Sequence, residues 1–479
     1  MSVGHFIDGN WSQLGPLSVT IDPSTNAVVT EFHQGTVELM AQAIACARRC
    51  FELTAWRAQS RRRAAMLLEC ADALAARHDE IASMLARENG KPITQAHHEV
   101  SAAINECRYY AGLARNIFGR SAEYEAGQQS LFTREPIGVA AVIVPWNAPA
   151  TLLIRSLAPA IAAGCCAVIK PAAETSGTHH LLMQAIASCP SLEKGAIVSV
   201  NDGGIALSEY LVKDVEIDVI SFTGSTTTGK QIMANAAGTL KRLSLELGGK
   251  SPAVVFADAD LDKAVAEISR AVVPHCGQMC TAIGRAIVHK DLIDPFIEKM
   301  KVALSAFKIG SPVLPGTQLG PLINSAAAAR YLDNVKLGAQ EGEMLLRGEI
   351  LSQAPNDAGT FVTPTMIRLE NTASALIQKE LFAPYLIVES FIEARDAVAS
   401  ANATRYGLTA SVYTEGLANA QSAARAIKAG TVWINCHNRL MVEAETGGYR
   451  ESGLGRLHGT EGLSPFLETK HIYTQVAAL

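Results

Sequence analysis

The opening part of the chain passes from short alternating runs of apolar and polar positions to a helical spacing and back. Residues 5–11 form an alternating run that meets an Asp-Gly-Asn turn, which is typical of a strand. Apolar positions then recur every three or four residues, which predicts helices over 36–51, 60–88 and 96–118. An Asn-Gly-Lys-Pro sequence follows the second helix and is a stop signal. Residues 120–136 predict an extended hairpin that leaves the body.

Beyond this hairpin, short buried runs of apolar residues alternate with helical stretches. Alternating β and α units with buried strands predict a parallel, doubly wound sheet, and therefore the α/β fold class. A second unit begins at residue 248, and Asp260 is predicted to cap a helix over 261–273. The glycine-rich residues 443–456 predict a loop, and residues 466–473 predict a terminal strand that pairs with the hairpin or a neighbouring chain. The first unit has predicted strands at 139–144, 167–171, 196–200 and 219–222, and predicted helices at 150–163, 176–187, 206–212 and 230–237.

Length and composition limit the number of domains and the classes of partner that we expect. A chain of 479 residues that is 48% hydrophobic and 18% charged predicts two or three well-buried domains. Its net charge is −5, and acidic and basic residues are mixed along the chain, so the sequence lacks the basic cluster typical of a nucleic-acid-binding protein. The N-terminus lacks a secretory signal, and the longest apolar run (157–169) is interrupted and too short for a bilayer, so we expect a cytoplasmic protein with no membrane partner. Ten cysteines without a CxxC pair predict reduced thiols and no metal site.

Three motifs follow predicted strands at the edge where such sheets bind ligands: Pro145-Trp146-Asn147, Lys170 and Gly224-Ser225. A Gly-Ser turn at a helix start offers free N–H groups and a favourable dipole to a pyrophosphate. A lysine at a strand end can reach a ribose or a phosphate. Together the three motifs favour a nucleotide site over three ordinary βα turns.

Glu246 and Cys280 are the candidate reactive pair, because a thiolate is a nucleophile and a carboxylate can act as its base or activate water. Cys276, four residues earlier, is a rival nucleophile on spacing alone. The sequence motifs around Glu246 and Cys280 strengthen their assignment as a reactive pair. Seven motifs stand along the chain, at 145–149, 170–174, 222–226, 245–250, 277–280, 380–384 and 447–456.

In these motifs, their order and their spacing, the chain resembles the NAD(P)-dependent aldehyde dehydrogenase superfamily over essentially its whole length. The resemblance implies a Rossmann-type cofactor domain, an α/β catalytic domain and a small β oligomerisation arm, assembled as a homodimer or homotetramer. The implied divisions are 1–119 with 137–247 for the cofactor domain, 248–445 for the catalytic domain, and 120–136 with 457–479 for the arm.

The resemblance also implies the chemistry. Cys280 would attack the aldehyde, while the Asn147 amide and the Cys280 N–H hold the oxyanion. Hydride would leave for the nicotinamide, and Glu246 would activate the water that hydrolyses the thioester. Lys170 would bind the adenosine ribose and has a further possible role in a proton relay. A catalytically idle family member is the alternative, and retention of all these groups together with Glu380 argues against it.

The implied cofactor is NAD, with NADP left open because Ala173 stands where the family often has a ribose-binding Glu. His275 replaces the family's usual Asn, and we expect it only to pack. The predicted cofactor-binding residues are Val144, Pro145, Trp146, Asn147, Lys170, Ala173, Phe222, Gly224, Ser225, Thr228, Glu246, Leu247, Gly248, Glu380 and Phe382.

Several residues that differ from the family pattern indicate which kind of aldehyde is the substrate. Small or non-aromatic residues stand at tunnel positions, so we expect a wide tunnel. Arg155, two helical turns beyond Asn147, suits a substrate carboxylate, which favours a semialdehyde with a carboxylate or a bulky aromatic aldehyde. Glu443 and Glu445 favour instead a cationic amino- or betaine-type aldehyde, unless one of them pairs with Arg155. The predicted substrate residues are Arg155, Ala148, Met279, Thr281, Arg439, Leu440 and Thr446.

Overall fold

The computed structural model describes residues 2–351 and 358–476. The predicted domain ranges also include residue 1, residues 352–357 and residues 477–479, which lie outside the described residues. Within the described ranges, helices of the length and apolarity needed to cross a bilayer are absent.

Several helices begin at a polar side chain that accepts a hydrogen bond from the first turn. Thr36 caps the first helix, Ser225 caps the eighth, and Asp260 caps the ninth as predicted. The helices are α1 Val37–Leu53, α2 Ser60–Ala76, α3 His78–Asn89, α4 Ile93–Ala114, α5 Pro149–Ala163, α6 Ser176–Ala187, α7 Ala206–Lys213, α8 Thr226–Ala236, α9 Leu261–Val272, α10 Ile293–Ser305, α11 Ser325–Glu341, α12 Ala375–Gln378, α13 Ala394–Ala401 and α14 Leu417–Ala426.

Two helix predictions need correction. The predicted helix over 60–88 is two helices, because the backbone leaves the helical region at Arg77. The Arg77 guanidinium bonds both the Glu80 carboxylate and the Leu181 carbonyl oxygen, which fixes this break against α6. Helix α8 begins at Thr226 rather than at residue 230, since the Ser225 side chain accepts a hydrogen bond from the Thr228 N–H (3.1 Å).

Within residues 2–351 and 358–476 the strands form four sheets, and the buried strands are apolar runs of the sequence. Nearly every residue of the central strands is buried, as expected for parallel strands covered on both faces. The strands are β1 Ser2–Val3, β2 His5–Ile7, β3 Asn10–Ser12, β4 Leu17–Ile21, β5 Val28–His33, β6 Arg120–Glu125, β7 Gln128–Pro136, β8 Val139–Ile143, β9 Cys166–Lys170, β10 Ile197–Ser199, β11 Val219–Thr223, β12 Arg242–Glu246, β13 Ser251–Val255, β14 Ile283–His289, β15 Glu343–Leu346, β16 Thr365–Arg368, β17 Tyr385–Phe391, β18 Thr409–Tyr413, β19 Thr431–Ile434, β20 Gly453–Leu454 and β21 Leu467–Gln475.

The two large sheets confirm the predicted α/β class. The first has the order β20-β12-β11-β8-β9-β10-β2-β3, and its strands from β12 to β10 run parallel. The second has the order β15-β16-β17-β14-β13-β18-β19, parallel except at β15. A small sheet joins β21 antiparallel to β7 and β6, so the terminal strand pairs with the hairpin of its own chain.

The glycine-rich segment predicted as loop contains one strand. Gly453 and Leu454 of β20 pair antiparallel with Glu246 and Leu245 of β12. Gly453 has φ 158°, and a Cβ there would lie 2.4 Å from the Leu245 carbonyl oxygen, so only glycine allows this approach. The pairing brings the segment beside Glu246.

Candidate active site

Cys280 and Glu246 lie on one cavity of about 960 Å³. Glu246 is the last residue of β12 and is buried, whereas Cys280 precedes β14 and is partly exposed. Asn147, which follows β8, and Arg155 of α5 line the same cavity. The strand ends therefore bring the predicted nucleophile, base and oxyanion donor to one place.

The segment before Cys280 is a tight turn. His275 and Cys276 both have left-handed backbone conformations (φ 47° and 57°). Cys276 is fully buried among apolar residues and does not line the cavity, whereas Cys280 does, so we favour Cys280 as the nucleophile. His275 is buried against the Trp146 ring, at 5.8 Å between centroids, and burial lowers its pKa, in agreement with a packing role.

The protonation of the reactive pair follows from burial. Burial and the Glu246 carboxylate raise the pKa of the Cys280 thiol to about 12, and Arg155 opposes them. Burial raises the pKa of Glu246 to about 7, and Arg155 and Arg456 oppose it. The Glu246 Oε2 atom has no hydrogen-bond partner among the described residues. At neutral pH the pair therefore holds a protonated thiol beside a carboxylate that can accept a proton.

Contacts that the sequence reasoning missed hold the loop of Asn147. The Lys91 ammonium donates to the Asn147 carbonyl oxygen (2.8 Å) and pairs with the buried Glu99 carboxylate. Glu99 accepts from the Ala150 N–H (2.9 Å) at the start of α5. In the sequence, Lys91 is part of the Asn-Gly-Lys-Pro stop signal, so we assigned it only to the end of the helix. The Asn147 backbone is thus fixed between α4 and α5.

A second set of polar groups lies at the ends of β9, β10 and β11. Lys170 ends β9 and is buried, which lowers its pKa, while the charges of Asp202 and Glu174 raise it. Asp202 was not predicted; its Oδ1 accepts from the Gly204 N–H (2.8 Å), and its buried Oδ2 has no partner among the described residues. Ser225 caps the eleven-residue helix α8 at the end of β11.

Glu380 completes this set from the second sheet. Its Oε1 accepts from the Gly249 N–H (3.2 Å), and burial raises its pKa to about 7. A Cβ at Gly248 would lie 2.5 Å from the Glu380 Oε2, so glycine leaves room for the carboxylate. Of the other predicted cofactor residues, Val144, Phe222, Leu247 and Gly248 are buried, Pro145, Trp146, Ala173, Gly224 and Phe382 are half-buried, and Ser225 and Thr228 are exposed.

Six of the seven predicted substrate residues line the cavity: Ala148, Arg155, Met279, Thr281, Leu440 and Thr446. Arg439 does not. Its guanidinium is largely exposed and lies 3.7 Å from the Glu267 carboxylate, so we remove it from the substrate residues. The cavity wall also contains Glu106 and His458, whose buried side chains lie 2.8 Å apart, a contact that the sequence did not reveal.

Arg155 is a buried cation without a carboxylate partner. Its Nη2 donates to the Thr223 Oγ1 (3.3 Å), and its Nε is buried with no partner among the described residues. Ion pairs within 4.0 Å of its guanidinium are absent from the described part of the chain. The predicted alternative of a pair with Glu445 does not form, because Glu445 accepts from the Thr460 N–H (3.1 Å) instead. A buried guanidinium on a cavity wall is suited to an anionic ligand.

Comparisons with known proteins agree with this site. Residues 13–472 match the Aldehyde dehydrogenase family. Aldehyde dehydrogenase 1 of Tanacetum cinerariifolium is 35% identical over 99% of this chain and 94% of its own length. Betaine aldehyde dehydrogenase of Bacillus subtilis is 34% identical over 99% of this chain and 97% of its own. The structure of betaine aldehyde dehydrogenase from Staphylococcus aureus in complex with NAD+ has a TM-score of 0.95 and 31% identity, and covers 98% and 95% of the two chains.

The chain belongs to the aldehyde dehydrogenase family. Its fold is that of the family's solved structures, including an NAD-dependent aldehyde dehydrogenase from Sinorhizobium meliloti with a TM-score of 0.96, 32% identity, and coverage of 100% of this chain and 96% of that one.

Proposed function

We propose that this protein oxidises an aldehyde to its carboxylic acid with NAD+, through a covalent thioester on Cys280. The observation that carries the proposal is the shared cavity of a protonated thiol, a carboxylate whose pKa is about 7, and the Asn147 amide. A carboxylate that is half ionised near neutral pH can take a proton from the thiol and later from water.

The chain's own groups perform the following steps. Glu246 accepts the Cys280 proton, and the thiolate sulfur forms a bond to the aldehyde carbon. The Asn147 side-chain amide and the Cys280 backbone N–H donate hydrogen bonds to the resulting oxyanion. NAD+, when bound, accepts the hydride that leaves this carbon. Glu246 then releases this first proton to solvent and, ionised again, takes a proton from water, whose oxygen attacks the thioester carbon. The carbon–sulfur bond breaks, the acid leaves, and the proton on Glu246 returns to the Cys280 thiolate.

The groups at the strand ends fit NAD+. We infer that Lys170 and the N-terminus of α8 hold the ribose and the pyrophosphate of the adenosine half. Glu380 would hold the second ribose. Asp202 offers an unpartnered buried carboxylate oxygen to ribose hydroxyls and, with Glu174, places negative charge near Lys170. Two carboxylates there disfavour the extra phosphate of NADP, which restores the NAD preference that Ala173 had put in doubt.

The substrate we favour is an aldehyde that carries a carboxylate. Arg155 supports it, because a buried guanidinium without a carboxylate partner is stabilised by an incoming anion. A cavity of about 960 Å³ has room for an aromatic ring as well as for an extended chain.

A matched pair of substrates tests this choice. Cofactor reduction is followed at 340 nm with 4-carboxybenzaldehyde and with its methyl ester, which differ in charge at one position. We expect the wild type to prefer the carboxylate at least tenfold in kcat/KM, and Arg155→Gln to lose the preference. Arg108→Gln, an exposed arginine of the same cavity, is the control and should keep it. A wild type that favours the ester would contradict the anionic substrate.

A cationic aldehyde is the second candidate. The exposed Glu443 at the cavity and the betaine aldehyde dehydrogenases among the relatives favour it. Betaine aldehyde, included in the same panel, would be the better substrate in this case. If no aldehyde is oxidised while Cys280 still reacts with thiol reagents, the catalytically idle alternative would stand.

We also infer a role for each of three sheets. The first large sheet would hold the cofactor, the second would carry Cys280, and the small sheet of β6, β7 and β21 would form the arm. β21 is an edge strand with mostly exposed residues, and edge strands of this kind pair with other chains. A homodimer or homotetramer is therefore the proposed assembly.

A further inference from the structure

Three polar side chains form a hydrogen-bonded chain in the wall of the substrate cavity. The Thr446 hydroxyl lies 2.8 Å from the His458 Nδ1, and the His458 Nε2 lies 2.8 Å from the Glu106 Oε1. Glu106 is 3% exposed and His458 4% exposed, and all three residues line the cavity. The proposed reaction uses none of them.

The second oxygen of Glu106 is unsatisfied. Its Oε2 is buried and has no hydrogen-bond partner among the described residues. A buried carboxylate oxygen without a hydrogen-bond donor destabilises the folded protein. Because Glu106 lines the cavity, a donor group on a bound ligand can satisfy this oxygen.

The surrounding backbone holds this chain in place. Thr446 and Leu457 exchange two backbone hydrogen bonds of 2.8 Å, and the Gly459 N–H donates to the Val442 carbonyl oxygen (2.8 Å). His458 between them has a left-handed backbone (φ 60°), a conformation that a non-glycine residue keeps only when its contacts fix it. The imidazole is therefore presented to Glu106 and Thr446 by a fixed loop.

We propose that Glu106, His458 and Thr446 form a subsite for a hydroxyl group of the aldehyde substrate. The inference rests on the proposed aldehyde oxidation and specifies its substrate class. The substrate hydroxyl donates to the Glu106 Oε2, and the Thr446 hydroxyl, hydrogen-bonded to His458, contacts the substrate oxygen. Arg155, on α5, lines the same cavity and makes no ion pair with Glu106, so the anion site and the hydroxyl site remain separate.

Matched aldehydes test the subsite. We would measure kcat/KM with NAD+ for 2-, 3- and 4-hydroxybenzaldehyde and for the three methoxy counterparts, which keep the oxygen but cannot donate. For at least one ring position the wild type should favour the hydroxyl compound about tenfold, because only the hydroxyl supplies a donor to the buried Glu106 Oε2. Thr446→Val should lower that ratio severalfold. Glu106→Gln should lower it further, because the amide offers an N–H group that a methoxy oxygen accepts.

Controls separate this role from a structural one. Asn105→Ala removes an exposed polar side chain of the same cavity and should leave the hydroxyl-to-methoxy ratio as in the wild type. A purely structural tie would lower the Tm and reduce kcat/KM for both compounds equally, which would overturn the subsite. So would a wild type without preference at any ring position. If Glu106→Gln does not fold, Thr446→Val decides alone. Absence of turnover with every aldehyde would refute the proposed oxidation instead.

Discussion

The Asn147 side-chain amide donates a hydrogen bond to the carbonyl oxygen of Gln278 (3.1 Å), two residues before Cys280. Gln278 is itself fixed, since its side-chain amide donates to the His275 carbonyl oxygen (3.0 Å) and its Oε1 accepts from the Ile323 N–H (2.9 Å). The proposed oxyanion donor and the segment that leads to the proposed nucleophile are therefore held together by hydrogen bonds before substrate arrives.

Asn147→Ala should lower kcat about 10²- to 10³-fold, because removal of one donor to a developing oxyanion has an effect of this size. Steady-state rates and affinity for NAD+ should be measured together. The control is Asn105→Ala, an exposed amide of the same cavity, which should retain wild-type kcat. Equal rates for Asn147→Ala and the wild type would exclude the oxyanion role.

The activity should fall on the acid side of neutrality. Burial raises the pKa of Glu246 to about 7, and only the ionised carboxylate can accept a proton. We therefore expect kcat/KM to decrease about tenfold per pH unit below pH ~7 and to level off above it. Glu246→Gln should remove this acid limb together with most of the activity.

Glu380 also has a pKa raised to about 7, so it must be separated from Glu246 in the pH profile. Glu380→Gln should keep the acid limb of kcat and mainly weaken the affinity for NAD+. If the limb disappears with Glu380→Gln and persists with Glu246→Gln, the assignment of the base is wrong.

Asp202 should discriminate between the two cofactors. In Asp202→Asn the kcat/KM ratio of NADP to NAD should rise roughly tenfold, because one negative charge near the ribose phosphate is removed. Glu209→Gln, an exposed carboxylate on α7, should leave the ratio unchanged. The ratio is read from initial rates at 340 nm, and an unchanged value in Asp202→Asn would place this carboxylate outside the cofactor site.

The sequence predicted the features that are local. Buried strands such as β8 are continuous apolar runs, and α6 was predicted over the residues it occupies. The motifs around Glu246 and Cys280 predicted that the two residues act together, and both line one cavity in the structure.

Features that depend on distant contacts were missed. Glu106 and His458 are far apart in the chain, and no periodicity joins a helix residue to a loop residue across the cavity. The break at Arg77 and the left-handed turn at Cys276 depend on what packs around them. Arg439 was placed near substrate by its loop, but its side chain turns to Glu267.

The arm should be coupled to the cofactor sheet through one ion pair. The Arg242 Nη2, at the start of β12, lies 2.8 Å from the Glu468 carboxylate of β21, and the same guanidinium donates to the Leu467 carbonyl oxygen (2.6 Å). Glu468→Lys places two cations together, and we expect weaker assembly and lower NAD+ affinity. Sedimentation velocity and cofactor titration measure both, with Glu125→Lys at the hairpin tip as the control. Unchanged assembly and affinity would show that the contact is a surface pair without consequence.

The second sheet contains a fully buried ion pair, and the loss of one partner alone should destabilise the protein. The Arg285 guanidinium of β14 donates to both carboxylate oxygens of Glu389 on β17, at 2.6 and 2.7 Å. Glu389→Leu leaves an unpaired buried cation and should lower the Tm by about 3–5 °C, from a cost of about 3–5 kcal/mol. The double variant Arg285→Met with Glu389→Leu removes both charges and should recover most of the loss. Differential scanning calorimetry compares the variants, and a double variant less stable than Glu389→Leu would mean that packing, and not the unpaired charge, sets the effect.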